Sequence, residues 1–257
     1  MADDFSDSVE LGDVAIVGGG CYGTFYAGQL IRARDRGKAR FRRLLVVDRD
    51  PGCRFAGEIG PAADRELVVA DWGEFFDRWL DRPGAAAAEP GDAIVPSPLM
   101  PHLMYQWLVR RARDRWPGRV VEQRPLAAPI GTPYDTAGPD GTRYVSFADW
   151  LCPTHCVEPA TCPVTRAPRT WEMSDAMARL TARLDLATPT SGPALFVCRH
   201  RVFGVGMFDV GTVLEGDRLV ARAGERRPEV DVVVGTVSGC HGAVSLLHLG
   251  PPAGPAR

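Results

Sequence analysis

A cysteine-rich segment is the least ordinary part of the sequence. Cys152, Cys156 and Cys162 lie within eleven residues, with His155 among them, and a proline follows the first and the last of the three cysteines. Zinc prefers thiolate and imidazole ligands, and several thiolates together also hold iron–sulfur clusters. Because proline restricts the backbone, less entropy is lost when such a loop gathers around an ion. We therefore predict a zinc or iron–sulfur site at these three cysteines, with a fourth ligand from His155 or Cys198, or from His200, Cys240 or His241.

The spacing of these cysteines, Cys-x3-Cys-x5-Cys, matches no specific zinc-finger or ferredoxin pattern. Reduced, partly buried thiols and thiol redox chemistry therefore stay open as alternatives to a metal.

Two Cys/His groups later in the chain are candidates for ligand or proton-transfer roles. Cys198 lies two residues before His200, and Cys240 directly precedes His241. The stretch from Ser238 to Gly242 also has the small residues of a relaxed nucleophile elbow, in which a cysteine attacks a carbonyl with a histidine as base. The candidate catalytic residues are Cys240, His241 and His200.

A glycine-rich segment follows the first apolar run of the chain. Gly18, Gly20 and Gly23 have the spacing Gly-x-Gly-x-x-Gly between a predicted strand and a predicted helix. Glycines in this pattern allow a tight turn, a close approach of the backbone to pyrophosphate, and close packing of helix on strand. The N-terminus of the helix then offers unpaired N–H groups to phosphates. Asp48, at the end of the second apolar run, can accept hydrogen bonds from ribose hydroxyls.

The stretches Val14–Gly23 and Val46–Asp48 resemble the NAD(P)- or FAD-binding Rossmann superfamily. The resemblance implies that the three glycines face pyrophosphate, that Asp48 faces the adenosine ribose, and that the protein is an oxidoreductase. Arg49, directly after the acid, leaves NADP open beside NAD. The predicted cofactor-binding residues are Gly18, Gly20, Cys21, Tyr22, Gly23, Asp48 and Asp71.

Three other functions stay open. A class I methyltransferase that uses S-adenosylmethionine has a similar topology, and Asp71 would suit its adenine-side contact, but its usual pattern needs glycine where this chain has Tyr22. A non-catalytic nucleotide or redox sensor is open because the sequence has no obvious catalytic acid/base pair. The glycines can also form the tight turn of an α/β fold that binds no nucleotide.

Apolar runs alternate with amphipathic segments along most of the chain. We predict an α/β fold with a Rossmann-like, mostly parallel, doubly wound sheet, interrupted by a Cys/Pro-rich loop. Because ligands bind beyond the carboxyl ends of parallel strands, the glycine loop, Asp48, Asp71 and the Cys/His groups are expected at one edge of the sheet. The predicted strands are Val14–Val17, Leu44–Val47, Leu67–Ala70, Ala93–Val95, Arg119–Gln123, Ala194–Val197 and Asp231–Val234. The predicted helices follow Gly23, Asp71 and Gly242, and cover Leu103–Arg115 and Trp171–Leu184.

The predicted organisation is one domain in five segments. They are an acidic tail (1–12), a dinucleotide-binding βαβ half (13–124), the Cys/Pro-rich insertion (125–170), a second α/β half (171–250) and a second tail (251–257).

The composition narrows the class of protein. Hydrophobic residues make up 45% of the 257 residues and charged residues 24%, which excludes a disordered chain. The net charge of −2 argues against a nucleic-acid partner. The acidic start and the lack of a long apolar run predict a cytoplasmic protein without a membrane partner. The expected partners are a dinucleotide and an unidentified small-molecule substrate or redox partner.

Overall fold

The computed structural model of the protein describes residues 8–153 and 156–252. In chain order its elements are β1 (Val9–Val17), α1 (Cys21–Asp35), β2 (Ala39–Asp48), α2 (Arg54–Glu58), β3 (Arg65–Val69), α3 (Trp72–Leu80), β4 (Ala93–Val95), α4 (Leu103–Arg115), β5 (Arg119–Arg124), β6 (Tyr134–Ala137), β7 (Arg143–Ser146), α5 (Met173–Arg183), β8 (Thr190–Val197), β9 (Arg199–Val202), β10 (Val205–Asp209), α6 (Val210–Arg226), β11 (Val230–Val237) and β12 (His241–Pro252). None of the helices in these residues is both long enough and apolar enough to cross a membrane.

The chain forms two compact units, each with its own sheet. Unit 1 comprises Met1–Pro101 and Arg199–Leu214, and unit 2 comprises His102–Cys198 and Glu215–Arg257. The sheet of unit 1 has the strand order β3-β2-β1-β4-β10-β9. Its first four strands are parallel, whereas β10 runs antiparallel to β4, and β9 antiparallel to β10.

The centre of the unit 1 sheet follows directly from its sequence. All residues from Leu11 to Val17 are buried, as expected for a strand covered on both faces. Helix α1 contributes Ala27, Leu30 and Ala33 to the same core. The helix ends just before Gly37, which takes a left-handed conformation with φ of 66°, as glycine often does after a helix C-terminus.

The sheet of unit 2 is largely antiparallel. Its order is β6-β7-β12-β11-β8, and β5 also pairs with the long strand β12. Only the pair of β8 and β11 is parallel among the described strand pairs of this unit. Helix α5 packs Met173, Met177 and Leu180 into a core with residues of β11 and β12.

The predicted mostly parallel, doubly wound Rossmann-like sheet is wrong, although the α/β class agrees with the structure. Both sheets are mixed, and the Cys/Pro-rich stretch contains the antiparallel pair β6 and β7. The helix predicted after Gly242 is instead strand β12, which β11 reaches through a short turn in which the Ser238 amide donates to the His241 carbonyl at 2.8 Å. Strands joined by so short a turn must be antiparallel, because parallel neighbours need a crossover of about a dozen residues or more.

A buried ionic cluster ties β1, β2 and the start of β4 together. Arg42 and Arg43 each contact Asp13 at 2.7 Å, and Arg42 also contacts Asp92 at 3.1 Å. The Asp92 carboxylate pairs with Arg82 as well and accepts the backbone amide of Asp13 at 2.6 Å. Both carboxylates are almost fully buried, so their charges depend on these partners.

We expect Asp92→Ala to lower the free energy of unfolding of unit 1 by about 3 kcal/mol. This is the lower end of the cost of breaking a buried ion pair, because Arg42 can still reach water. Urea-dependent hydrogen exchange in peptides from β1 and β4 measures the change. If the unfolding free energy stays within about 0.5 kcal/mol of wild type, the range of ordinary surface substitutions, the buried ionic cluster does not stabilise unit 1.

The same cluster predicts an acid dependence of stability. Burial alone would raise the pKa of Asp13, but hydrogen bonds from Arg43 and Arg42 outweigh it, so its pKa lies below the ordinary value. Its contribution is therefore present above an unfolded-state pKa of about 4 and is lost as the pH falls through the lowered folded-state pKa. Between neutral pH and about pH 2, unit 1 of wild type should lose more stability than unit 1 of Asp13→Asn. The same hydrogen-exchange experiment measures both proteins. If wild type and Asp13→Asn lose equal stability in unit 1, the lowered pKa of Asp13 does not contribute.

Candidate functional site

The glycine loop of unit 1 joins β1 to α1 by a turn that requires glycine twice. Gly18 has a φ of 86°, a left-handed conformation, and its amide donates to the Val47 carbonyl at 2.8 Å. A Cβ at Gly23 would lie 1.7 Å from the Gly18 carbonyl oxygen. Helix α1 therefore begins directly on the turn.

Asp48 holds this loop against the end of β2. One carboxylate oxygen accepts the Gly19 amide at 2.6 Å, and the other accepts the Asp50 amide at 2.9 Å. Each oxygen of an ionised carboxylate can accept about two hydrogen bonds. The half-buried Asp48 side chain can thus hold the loop and still accept a hydroxyl of a ligand.

The N-terminus of α1 lacks the usual protein partners. Its N-cap, Gly20, has no side chain to cap the first amides, and the first turn has no acidic residue. A Cβ at Gly20 would meet nothing within 4 Å, so there is open space beside the first residue of the turn. The first amides of a helix have no intrahelical acceptor and carry the positive end of the dipole. This end of α1 is therefore suited to an anion.

Helix α3 shows the opposite arrangement. The Asp71 carboxylate accepts the Gly73 amide at 2.8 Å and so caps the N-terminus of this helix. Its predicted role toward a cofactor stays a prediction.

A cavity of about 250 Å³ lies beside the glycine loop, at the carboxyl ends of the parallel strands. Ligand pockets usually measure about 300–1,000 Å³, so this cavity is slightly below the small end of that range. Sequence reasoning found Gly18 and Asp48 but missed Trp72 and Met100 as wall residues, because only the strand order brings them to this edge. The lining residues are Val17, Gly18, Val47, Asp48, Arg49, Ala70, Trp72, Ser97 and Met100. The predicted residues Cys21 and Tyr22 lie in the first turn of α1, where both are exposed.

The predicted catalytic residues fall in different units. His200 lies on β9 in unit 1, whereas Cys240 and His241 lie at the β11–β12 turn of unit 2. His241 Nδ1 is 2.9 Å from the hydroxyl of Ser146, whose own hydrogen bond goes to the Ala148 carbonyl at 2.8 Å.

Burial raises the pKa of two of the thiols in unit 2. The pKa of Cys240 rises to about 11 and that of Cys198 to about 12. Both thiols therefore stay protonated near neutral pH unless a metal displaces the proton, which disfavours Cys240 as an unassisted nucleophile.

The predicted cysteine ligands among the described residues all belong to unit 2. Cys152, Cys156, Cys162 and Cys198 are unpaired thiols, and His155 lies outside the described residues. Within residues 8–153 and 156–252, no group of three or more His, Cys, Asp or Glu side chains is arranged around a metal position.

A family model named AF_1314_C, described as "Uncharacterized protein, C-terminal domain", matches residues 104–250. This match covers more than half of the chain, so the chain belongs to that family. No curated protein and no solved structure matches the chain. The matched residues include the five cysteines of unit 2, whereas the glycine loop lies before them.

Two glycine substitutions on α1 test the geometry of the loop. Gly23→Ala would force α1 away from the turn. It should lower the free energy of unfolding of unit 1 by about 1–3 kcal/mol or more, the usual effect of overpacking. Gly28→Ala is the matched control, because its Cβ would meet only Ile59 Cδ1 at 3.9 Å. It should stabilise the helix by about 0.5–1 kcal/mol. Equal unfolding midpoints for the two variants would contradict the close approach of Gly23 to the Gly18 carbonyl.

Proposed function

We propose that unit 1 binds a dinucleotide, NAD(P) or FAD, at the glycine loop, and that the protein is a cytoplasmic oxidoreductase. The observation that carries this proposal is the uncapped N-terminus of α1, with open space beside Gly20. The Gly-x-Gly-x-x-Gly resemblance and the position of Asp48 support the same ligand class.

The loop residues divide the binding between them. The Gly19 amide is already occupied by Asp48, so the first-turn amides of α1 would hold the pyrophosphate. The lack of a side chain at Gly20 lets a phosphate approach those amides. Asp48 keeps the loop in this conformation before the ligand arrives, which lowers the ordering cost of binding.

The cavity would take one end of the ligand. Trp72 and Met100 supply apolar wall, and Asp48 and Ser97 supply polar groups that can contact ribose hydroxyls. The exposed Arg49 is the cation of the cavity wall and would favour a ligand that carries several negative charges.

The bound nicotinamide or flavin would supply hydride-transfer chemistry, and the protein would supply binding and orientation. The described side chains that line the cavity include no histidine, lysine, tyrosine or cysteine, and the carboxylate of Asp48 already accepts the Gly19 amide. Turnover of reduced nicotinamide or flavin with an acceptor therefore separates an oxidoreductase from a sensor.

Calorimetric titration of the full chain with NADH, NADPH, FAD and S-adenosylmethionine tests the proposal, with Gly20→Asp as the variant. Aspartate is a good N-cap, so the change should alter helix stability by only about a few tenths of a kcal/mol. Its carboxylate would occupy the phosphate position and repel the ligand, so dinucleotide affinity should fall at least about tenfold.

Gly118→Asp is the control for net charge, because Gly118 is an exposed residue of unit 2 at which a Cβ would meet nothing within 4 Å. Its affinity for the dinucleotide should equal that of wild type. Wild type that binds none of the dinucleotides, or Gly20→Asp that binds as tightly as wild type, would refute the proposal. Preferential binding of S-adenosylmethionine would refute it in favour of a methyltransferase.

A further inference from the structure

Residues 158–169 form a short strap on the surface of unit 2. Its backbone bonds to itself, since the Cys162 amide donates to the Ala167 carbonyl at 2.9 Å and the Arg169 amide donates to the Ala160 carbonyl at 2.7 Å. All residues of the strap are described, and Cys162 alone among them is buried. A segment with so little buried apolar surface belongs to the least stable parts of a fold.

Glu158 fastens the strap to the β11–β12 turn. Its carboxylate accepts the Ser238 hydroxyl at 2.6 Å, the Gly239 amide at 2.7 Å and the Cys240 amide at 3.0 Å. Hydrogen bonds to an ionised carboxylate are stronger than those between neutral groups. One side chain therefore supplies three strong contacts between the strap and the turn.

Both ends of the strap lie beside Gly239. A Cβ at Gly239 would be 2.5 Å from a guanidinium nitrogen of Arg169 and 3.1 Å from a carboxylate oxygen of Glu158. The strap therefore starts and ends at the residue that precedes Cys240. A segment of this kind can move as a unit, because a few residues at its ends absorb the change in backbone angles.

Two residues of the strap have a costly backbone conformation. Glu158 has a φ of 52° and Arg166 a φ of 61°, both in the left-handed region. A residue with a side chain keeps such a conformation only where surrounding contacts hold it. For Glu158 these contacts are the hydrogen bonds to the turn, so their loss would let its backbone relax. This relaxation favours opening of the strap.

The Cys240 thiol is almost inaccessible while Glu158 holds the turn. Only 8% of Cys240 is exposed, and its sulfur accepts a hydrogen bond from Trp171 Nε1 at 3.2 Å. Its backbone is held on both sides, because the amide donates to Glu158 and the carbonyl accepts the Phe147 amide at 2.9 Å. Burial also raises the pKa of the thiol to about 11, so this state keeps it protonated and unreactive.

We propose that the strap opens as a unit while the rest of unit 2 stays folded, and that Glu158 is the latch that controls access to the Cys240 thiol. Opening breaks the three hydrogen bonds of Glu158 and exposes the turn to water. Small electrophiles, which react with thiols, then reach the sulfur. This device belongs to unit 2 and is independent of the dinucleotide proposed for unit 1.

Hydrogen exchange and alkylation of the full wild-type chain test the opening. The amides of Gly239 and Cys240 should exchange at rates that hardly depend on urea below the unfolding transition, because opening of the strap exposes little surface. The amides of residues 232–234, in the buried centre of β11, should show the full urea dependence of unfolding. Iodoacetamide should label Cys240 with the weak dependence. Labelling of Cys240 with the urea dependence of residues 232–234 would overturn the proposal.

Two variants separate opening of the strap from unfolding of unit 2. Glu158→Ala should speed the labelling of Cys240 at least about tenfold, because even one hydrogen bond to a charged group stabilises by about that factor. Leu180→Ala weakens the core of unit 2, which is the same whether the strap is open or closed. It should speed exchange of the amides of residues 232–234 at least about tenfold and leave the labelling of Cys240 at the wild-type rate.

Glu122→Ala is the control for charge, because Glu122 is a half-exposed carboxylate of unit 2 that pairs with Arg124. Its Cys240 should label at the wild-type rate. If Glu158→Ala labels no faster than wild type, Glu158 is not a latch. If Leu180→Ala speeds the labelling of Cys240 as much as Glu158→Ala does, the thiol is reached by unfolding of unit 2, and the strap does not open by itself.

Discussion

Unit 1 depends on the contact between Gly23 and the Gly18 carbonyl. A Cβ at Gly23 would lie 1.7 Å from that oxygen, so no side chain fits between the first turn of α1 and the end of β1. The contact fixes where the helix starts, and the Asp48 carboxylate fixes the loop from the other side. The result is a helix end without a cap that opens at the carboxyl ends of parallel strands. Backbone amides in such a place recognise phosphate by geometry and dipole together.

The two units offer different kinds of chemistry. Unit 1 presents backbone amides and one carboxylate, which favour an anionic ligand with hydroxyl groups. Unit 2 contains five thiols, and Glu158 joins the segment that carries three of them to the β11–β12 turn about eighty residues away. The family match covers the cysteines of unit 2 and begins after the glycine loop. The family therefore bears on the thiol-bearing unit, and the case for a nucleotide rests on the residues of unit 1 alone.

Sequence patterns predicted correctly those elements that depend mainly on neighbouring residues. Helix α4 covers the predicted Leu103–Arg115, and Asp71 caps α3 as its side chain and position suggest. The glycine loop and Asp48 lie at the edge where a βαβ unit must place them. By contrast, β12 was predicted as a helix, because a short apolar run without clear alternation does not separate the two structures.

Long-range pairing could not be read from the sequence. The strands β9 and β10 are short, and they join the unit 1 sheet because β10 pairs with β4 and β9 pairs with β10. No local signal links Glu158 to a turn about eighty residues away, and none places Trp72 in the cavity wall. These features depend on sheet order, which is a property of the whole chain.

We propose that the first-turn amides of α1 hold the phosphates of a nucleotide. The most direct measurement is the ¹H–¹⁵N correlation spectrum of the labelled full chain during titration with NADPH. The amide resonances of residues 20–23 should move in a saturable manner, and adenosine without phosphate should move them far less. If the resonances of these residues stay unchanged while other parts of the chain respond, the phosphates do not bind at the N-terminus of α1.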